Sequence, residues 1–297
     1  MMDIEKVLKN NRLSRALIGM NRLEFETLLI TFEKTLYEEL ASKDRKRKVG
    51  GGYKGILLNG KVKLFFVLFY LKVYPTFDLA GFVFGTIRSV TCEWIQKFLP
   101  ILEKTLGRAC VLPKKKISSP EEFFRAFPGI KDIFIDGTER PVQRPKNNDK
   151  QKKKYSGKKK RHTRKNTIIC DDKKKILCVS GTHDGKIHDK KQLEKMGILE
   201  NIPDEIAKWL DKGYQGLQNY IKNIVIPHKK PRKKSLSEEQ KAENKIISGI
   251  RITVEHAIAG IKRFRCLTDT FRNKNGLDDM MFKIATGIWN LHLNLAK

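Results

Sequence analysis

Apolar positions recur at helical spacing early in the chain and at strand spacing in its middle. In NRLEFETLLITFEKTLYEEL (21–40), Phe25, Leu28, Leu29, Phe32, Leu36 and Leu40 share one helical face. KVKLFFVLFYLKVYP (61–75) is apolar on several faces, which predicts a buried helix stopped by Pro75. Between them, SKDRKRKVGGGYKG (42–55) has the composition of a linker. TFDLAGFVFGTIRSVTCEWIQKFLPIL (76–102) predicts a short helix, Phe77 to Phe84, capped by Thr76 and closed by a left-handed Gly85. A longer helix follows, capped by Ser89, with Val90, Trp94, Phe98 and Leu102 on its core face. Short helix, tight turn and longer helix make the helix-turn-helix pattern, which an ordinary helical hairpin shares.

From residue 106 a connector with one helix leads into strands; Ser119, Pro120 and Glu122 supply that helix with a cap, a first-turn proline and a capping-box partner. KDIFIDG (131–137) is β-branched and apolar on both faces, as a central strand is. RHTRKNTIICDDKKKILCVSGTHDG (161–185) predicts a hairpin that turns at Asp171–Asp172. HDKKQLEKMGIL (188–199) is helical, EIAKWLDKGY (205–214) is a short apolar run ending in an acid, and IVIP (224–227) is another strand. A long helix over 236–265 and a last one over 275–295 complete the chain. Helices followed by mixed strands and helices predict an all-α helix-turn-helix domain over 1–105 and an α/β domain over 106–297.

Charge adds the first functional constraint. The 297 residues carry 62 Lys+Arg against 33 Asp+Glu, a formal net charge of +29, while a 40% apolar content still allows a packed core. Such an excess points to a polyanion, most often nucleic acid; a generally lysine-rich, solvated surface is the plainer explanation. The tract KNNDKQKKKYSGKKKRHTRK (146–165), with Lys158, Lys159, Lys160 and Arg161 at its centre, reads as an arm that follows a DNA backbone beside the strands, with Tyr155 able to stack on a base. A mobile hairpin loop with a solvated charge run fits it too. PHKKPRKK (227–234) reads the same way, and Arg88 is the basic residue at the helix-turn-helix. Together with the helix-turn-helix pattern, the charge makes double-stranded DNA the expected partner.

Five scattered cysteines without CxxC spacing suggest neither a disulfide framework nor a zinc site, and fit a reducing cytoplasm. LFFVLFYL (64–71) is far shorter than the ~20 residues that span a bilayer. MMDIEKVLKNN lacks an apolar signal core, so a cytoplasmic, nucleoid-associated protein is expected.

Three acids stand where a basic, soluble protein has no evident need of them. Asp136 ends the first strand, with Glu139 three residues on; Asp211 ends AKWL before the glycine-rich KGYQG; Glu255 lies in RITVEHAIAGIKRF (251–264). On an ideal helix Arg251, Glu255 and Lys262 fall within roughly 40° of one another. They flank the apolar stripe Ile247, Ile250, Val254, Ile258 and Ile261, so Glu255 is expected to point into a crevice beside the core. Two strand-end aspartates and a glutamate form a hard, all-oxygen set suited to Mg²⁺ or Mn²⁺. Two such ions can serve the attacking and leaving oxygens in phosphodiester cleavage. Taken singly, each acid also reads as a turn residue or, for Glu255, as an i, i−4 partner of Arg251.

IDGTER, LDKGYQG and RITVEHAIAGIKRF resemble the catalytic segments of DDE transposases from bacterial insertion sequences, in the group named after insertion sequence five and akin to eukaryotic Harbinger-type elements. The segment KLFFVLFYLKVYPTFDLAGFVFGTIRSVTCEWIQKF resembles that group's N-terminal domain, so the likeness spans about residues 20–293. The resemblance implies an RNase H-like core, divalent metal, and cleavage and joining of DNA at inverted-repeat ends by a dimer or larger assembly. It makes Asp136, Asp211 and Glu255 the metal-binding triad and Arg251 and Lys262 DNA contacts. Related transposases carry a tyrosine three residues before the arginine; here it is Ser248. GTHDG (181–185) resembles a further family segment, with His183 and Asp184 as a supporting pair or a plain polar turn. The competing class is a non-catalytic or domesticated DNA-binding protein or nuclease on the same scaffold.

Overall fold

The computed structural model describes residues 2–42, 55–231, 235–273 and 276–296, so most of the 42–55 linker and part of the 227–234 basic run lie outside the described residues. The chain forms two compact units. One comprises Met1–Leu112 with Ile261–Asp269 and Asn273–Lys297; the other comprises Pro113–Gly260 with Thr270–Arg272. This differs from a single cut at 105/106. The last helix, Leu277–Leu295, carries a buried stripe that includes Met281, Phe282, Ile284, Ile288 and Leu291, and groups with the N-terminal helices.

The first unit holds α1 (Ile4–Lys9), α2 (Asn11–Ile18), α3 (Arg22–Ala41), α4 (Gly60–Val73), α5 (Phe77–Phe84) and α6 (Arg88–Arg108). α1 and α2 are too short to show an apolar stripe in the sequence; Asp3 and Asn10 cap them. Asn21 and Glu24 close a capping box on α3, and Glu24 also meets Nδ1 of His292 at 2.6 Å. α4 is buried on all sides, and its Phe66 packs edge-on against Phe84 of α5 at 5.0 Å.

α5 starts at the Thr76 cap and ends at left-handed Gly85, as its sequence predicts. α6 starts two residues earlier than expected, with Ile87 in the cap position and Ser89 inside the first turn. The Thr86 amide bonds back to the Gly81 carbonyl at 2.8 Å, drawing the chain straight into α6. Gly81 permits this turn, because a Cβ there would lie 2.6 Å from the Thr86 carbonyl. No helix among the described residues is long and apolar enough to cross a membrane.

The second unit is mixed α/β. It contains α7 (Pro120–Ala126), β1 (Asp132–Pro141), α8 (Asn148–Lys154), β2 (Tyr155–Ser156), β3 (Arg161–Cys170), β4 (Ile176–Val179), β5 (His183–Asp184), α9 (Asp189–Met196), β6 (Ala207–Trp209), β7 (Ile224–Val225) and α10 (Glu238–Lys262). β1 is central: β3 pairs antiparallel on one side, β6 parallel on the other, and β7 extends the sheet parallel to β6. β2, β5 and β4 follow one another along the far edge of β3. Ile133, Ile135, Ile169, Leu177, Leu193 and Leu210 form the core on one face.

One expectation changes here: β1 runs on to Pro141, past the expected end at Gly137. The basic tract forms the short helix α8 and then the β2–β3 hairpin, because Asn147 caps α8 and Tyr155 and Ser156 pair with His162 and Arg161.

Candidate active site

The parallel register of β1 and β6 sets Asp132 beside Ala207, Ile133 beside Lys208 and Phe134 beside Trp209. Carried two residues further, the same offset sets Asp136, in the middle of β1, beside Asp211, just past the end of β6, on one face of the sheet. Each carboxylate is then fixed by one oxygen. Oδ1 of Asp136 accepts from the Gly137 amide at 2.7 Å, and Oδ1 of Asp211 accepts from the Gly213 amide at 2.7 Å. Arg251 of α10 brings Nη2 to 3.7 Å from Oδ2 of Asp136.

Burial dominates the electrostatics of Asp136 and pushes its carboxyl up to about 6. The Gly137 amide and Arg251 act against this, Asp211 adds to it as a like charge, and Lys158 opposes it. The folded pKa therefore lies above the unfolded one. The group's contribution to stability is complete below the ordinary aspartate range and is lost as pH rises through about 6. At neutral pH the free protein holds a buried negative charge that a cation would neutralise.

The opposite face of β1 carries a second cluster. Gly137 has no side chain, so the first residue of α9, Asp189, approaches the strand; a Cβ at Gly137 would lie 3.1 Å from its Oδ1. Asp189 also approaches Gly213, whose Cβ position is 3.8 Å from both Asp189 Oδ2 and Asp211 Oδ1. Lys165 Nζ donates to Asp189 Oδ1 at 2.9 Å and to the Ile187 carbonyl at 3.0 Å, and lies 3.4 Å from Glu139. Glu139 accepts from Thr163 at 2.7 Å. Burial opposes ionisation of Glu139, yet the hydrogen bonds of Thr163 and Ser156 and the charge of Lys165 hold its carboxyl below the usual range. Tyr214 is buried beside these groups with its hydroxyl unpartnered. Burial first, then the charges of Asp136, Asp189 and Asp211, hold that phenol well above its ordinary value.

The structure thus brings Asp136, Asp211 and Arg251 together. It does not give Glu255 the expected crevice: on α10 Val254 and Ala257 are buried while Glu255 is exposed. An angular offset of ~40° from Arg251 suffices to turn a side chain from the core's edge to solvent. Among the described residues no three His, Cys, Asp or Glu side chains are grouped closely enough to hold a metal ion.

Lys158, Lys159 and Lys160 form the exposed β2–β3 turn and Arg161 follows it; Lys262 is half-buried at the end of α10. Arg88 is exposed, 4.0 Å from Asp78. His183 and Asp184 form β5, with the whole of β3 between them and β1. The sequence reading missed Asp189, Lys165 and Tyr214. A signal for Asp189 was present: the His-Asp pair recurs at His188–Asp189, where it opens a helix.

Asp136 in the middle of the central strand, Asp211 just past the end of its parallel neighbour and Arg251 on α10 form an acid–base cluster on a mixed sheet. Residues 135–292, more than half of the chain, match the family model described as DDE superfamily endonuclease, and the chain belongs to that family. Over 296 residues it is 29% identical to the probable transposase for insertion sequence element IS702 of Microchaete diplosiphon, covering 99% of both chains. No solved structure gives a significant match.

Proposed function

We propose that this endonuclease is the transposase of an insertion sequence, cutting and joining DNA at the element's inverted-repeat ends. The observation that carries the reading is the β1–β6 register, which, extended two residues beyond Phe134 and Trp209, brings Asp136 alongside Asp211. The likeness over nearly the whole of a probable transposase supports it. Three antiparallel strands followed by two parallel ones support an RNase H-like core.

The donor set fits a divalent cation. Two neighbouring carboxylates on adjacent strands, one with its pKa raised by burial and like charge, have the hard oxygen chemistry that Mg²⁺ or Mn²⁺ takes. Asp136 and Asp211 would hold it. Glu255, one helical turn beyond Arg251 on α10, would supply the third carboxylate. When bound, the cation supplies Lewis acidity at the phosphodiester, and two ions would serve both the attacking and the leaving oxygen.

The chain's own groups do the rest. Arg251 is placed to neutralise a phosphate at Asp136, and Lys158 to Arg161 to grip the flanking backbone. Asp189, Lys165 and Glu139 brace β1 from behind. The α5–turn–α6 segment, with Arg88 at its turn, would read the terminal repeats as a helix-turn-helix, and Lys262 would contact the DNA end. Joining two ends calls for a dimer or larger assembly.

The test is a supercoiled plasmid carrying the element's ends, incubated with the full chain. Nicked and linear products are expected with Mg²⁺ or Mn²⁺ and none with EDTA. Absence of product with every divalent cation, while binding persists, supports a second reading, a DNA-binding protein without catalysis. The exposure of Glu255 is the observation that favours this alternative.

A further inference from the structure

The β2–β3 hairpin and α8 border a shallow, solvent-open cavity of about 650 Å³ lined by Arg144, Lys152, Tyr155, His162 and Lys186, all within the second unit. Its composition is unusual for a surface this basic, since two aromatic rings stand among the cations. Tyr155 and His162 face each other across the β2–β3 pair, edge to face at 5.7 Å, and the tyrosine remains 43% exposed. The walls are ordered. Arg144 Nε donates to Gln151 of α8 at 3.0 Å, the Lys159 amide donates to Ser156 at 3.2 Å, and the Lys186 amide donates to the Lys153 carbonyl at 3.1 Å. The hairpin also touches the catalytic strand, because the Ser156 side chain hydrogen-bonds Glu139, and the charge of Lys158 at its turn bears on Asp136.

A purely electrostatic grip on phosphates needs neither an exposed ring nor a cavity. A base needs both: a flat apolar surface to stack on and room out of the duplex, with cations on either side for the adjoining phosphates. The volume lies within the range of small-ligand pockets. The geometry points to this cavity as a binding site for an unpaired nucleobase of the DNA strand beside the active site, stacked on Tyr155 and read without regard to sequence. The inference rests on the reading of the chain as a DNA-cutting enzyme and adds a second, base-directed contact to it.

Fluorescence anisotropy in EDTA tests it, with two labelled strands of about 15 nucleotides, one oligothymidylate and one abasic with the same phosphates. Wild-type protein is expected to bind oligothymidylate about tenfold more tightly than the abasic strand. Tyr155→Ala is expected to remove that preference while leaving abasic affinity unchanged, and Tyr155→Phe, which keeps the ring, to retain it. Equal affinity of the wild type for the two strands, or a preference that survives Tyr155→Ala, overturns the stacking site alone. Failure to bind either strand overturns the DNA reading and the inference with it.

Discussion

Asp136→Asn and Asp211→Asn each abolish DNA cleavage, by about a thousandfold or more, and combining them costs little beyond either alone. The size follows from the chemistry: an amide supplies no charge to a cation, and the site has few carboxylates to spare. The non-additivity follows from their acting as one unit on neighbouring strands, where Asp211 lies close enough to raise the pKa of Asp136. DNA affinity is expected to stay near the wild-type value, because the cations proposed to hold phosphate lie on the hairpin and on α10. Nor does unfolding explain the loss. Burial raises the pKa of Asp136 to about 6, so Asp136→Asn removes an unfavourable buried charge at neutral pH. In the absence of metal its melting midpoint equals or exceeds that of the wild type. Cleavage assays beside thermal melts check both halves; a destabilised Asp136→Asn protein contradicts the electrostatic account of the site.

Lys165→Met has the largest effect on stability, about 3–5 kcal/mol. The Lys165 side chain is 7% exposed and serves two carboxylates, Asp189 at 2.9 Å and Glu139 at 3.4 Å. Its removal leaves two negative charges facing each other behind β1 without a counter-ion, and Glu139 is as deeply buried as the lysine. Adding Glu139→Gln and Asp189→Asn to Lys165→Met removes those charges and recovers most of the loss, which urea denaturation measures. If the single and triple variants unfold at the same denaturant concentration, the cluster does not act through charge.

Much of the architecture is legible in local chemistry. The apolar positions of 61–75 mark a buried helix because apolar residues cover all its faces, and Thr76 and Gly85 bound α5 because cap and left-handed glycine act within one turn. KDIFIDG marks a central strand because both its faces are apolar, and its neighbours β3 and β6 bear this out. Asp136 and Asp211 stand out in the sequence as acids after apolar runs, although β1 continues five residues past Asp136.

What stays hidden depends on groups far apart in sequence. Asp189 becomes part of the site only because Gly137, 52 positions earlier, leaves room for it. The charge run at 152–161 gives no hint that Tyr155 and Ser156 pair with the strand after them. Helical angles place Glu255 near Arg251 but do not say where the core's edge ends, and the structure leaves the glutamate exposed. His183–Asp184 and His188–Asp189 are identical dipeptides, and only the pairing of β5 with β3 assigns the first to the far edge.

The central claim is that Asp136 and Asp211 bind one divalent cation between them. Titration of the full chain with Mn²⁺, followed by the loss of its free paramagnetic resonance signal, measures this without DNA. The account predicts saturable binding at pH 7.5 that weakens as pH falls through about 6, where Asp136 takes up its proton, and that both Asp136→Asn and Asp211→Asn abolish. Binding that is unchanged in either variant, or that does not respond to pH across that range, contradicts it.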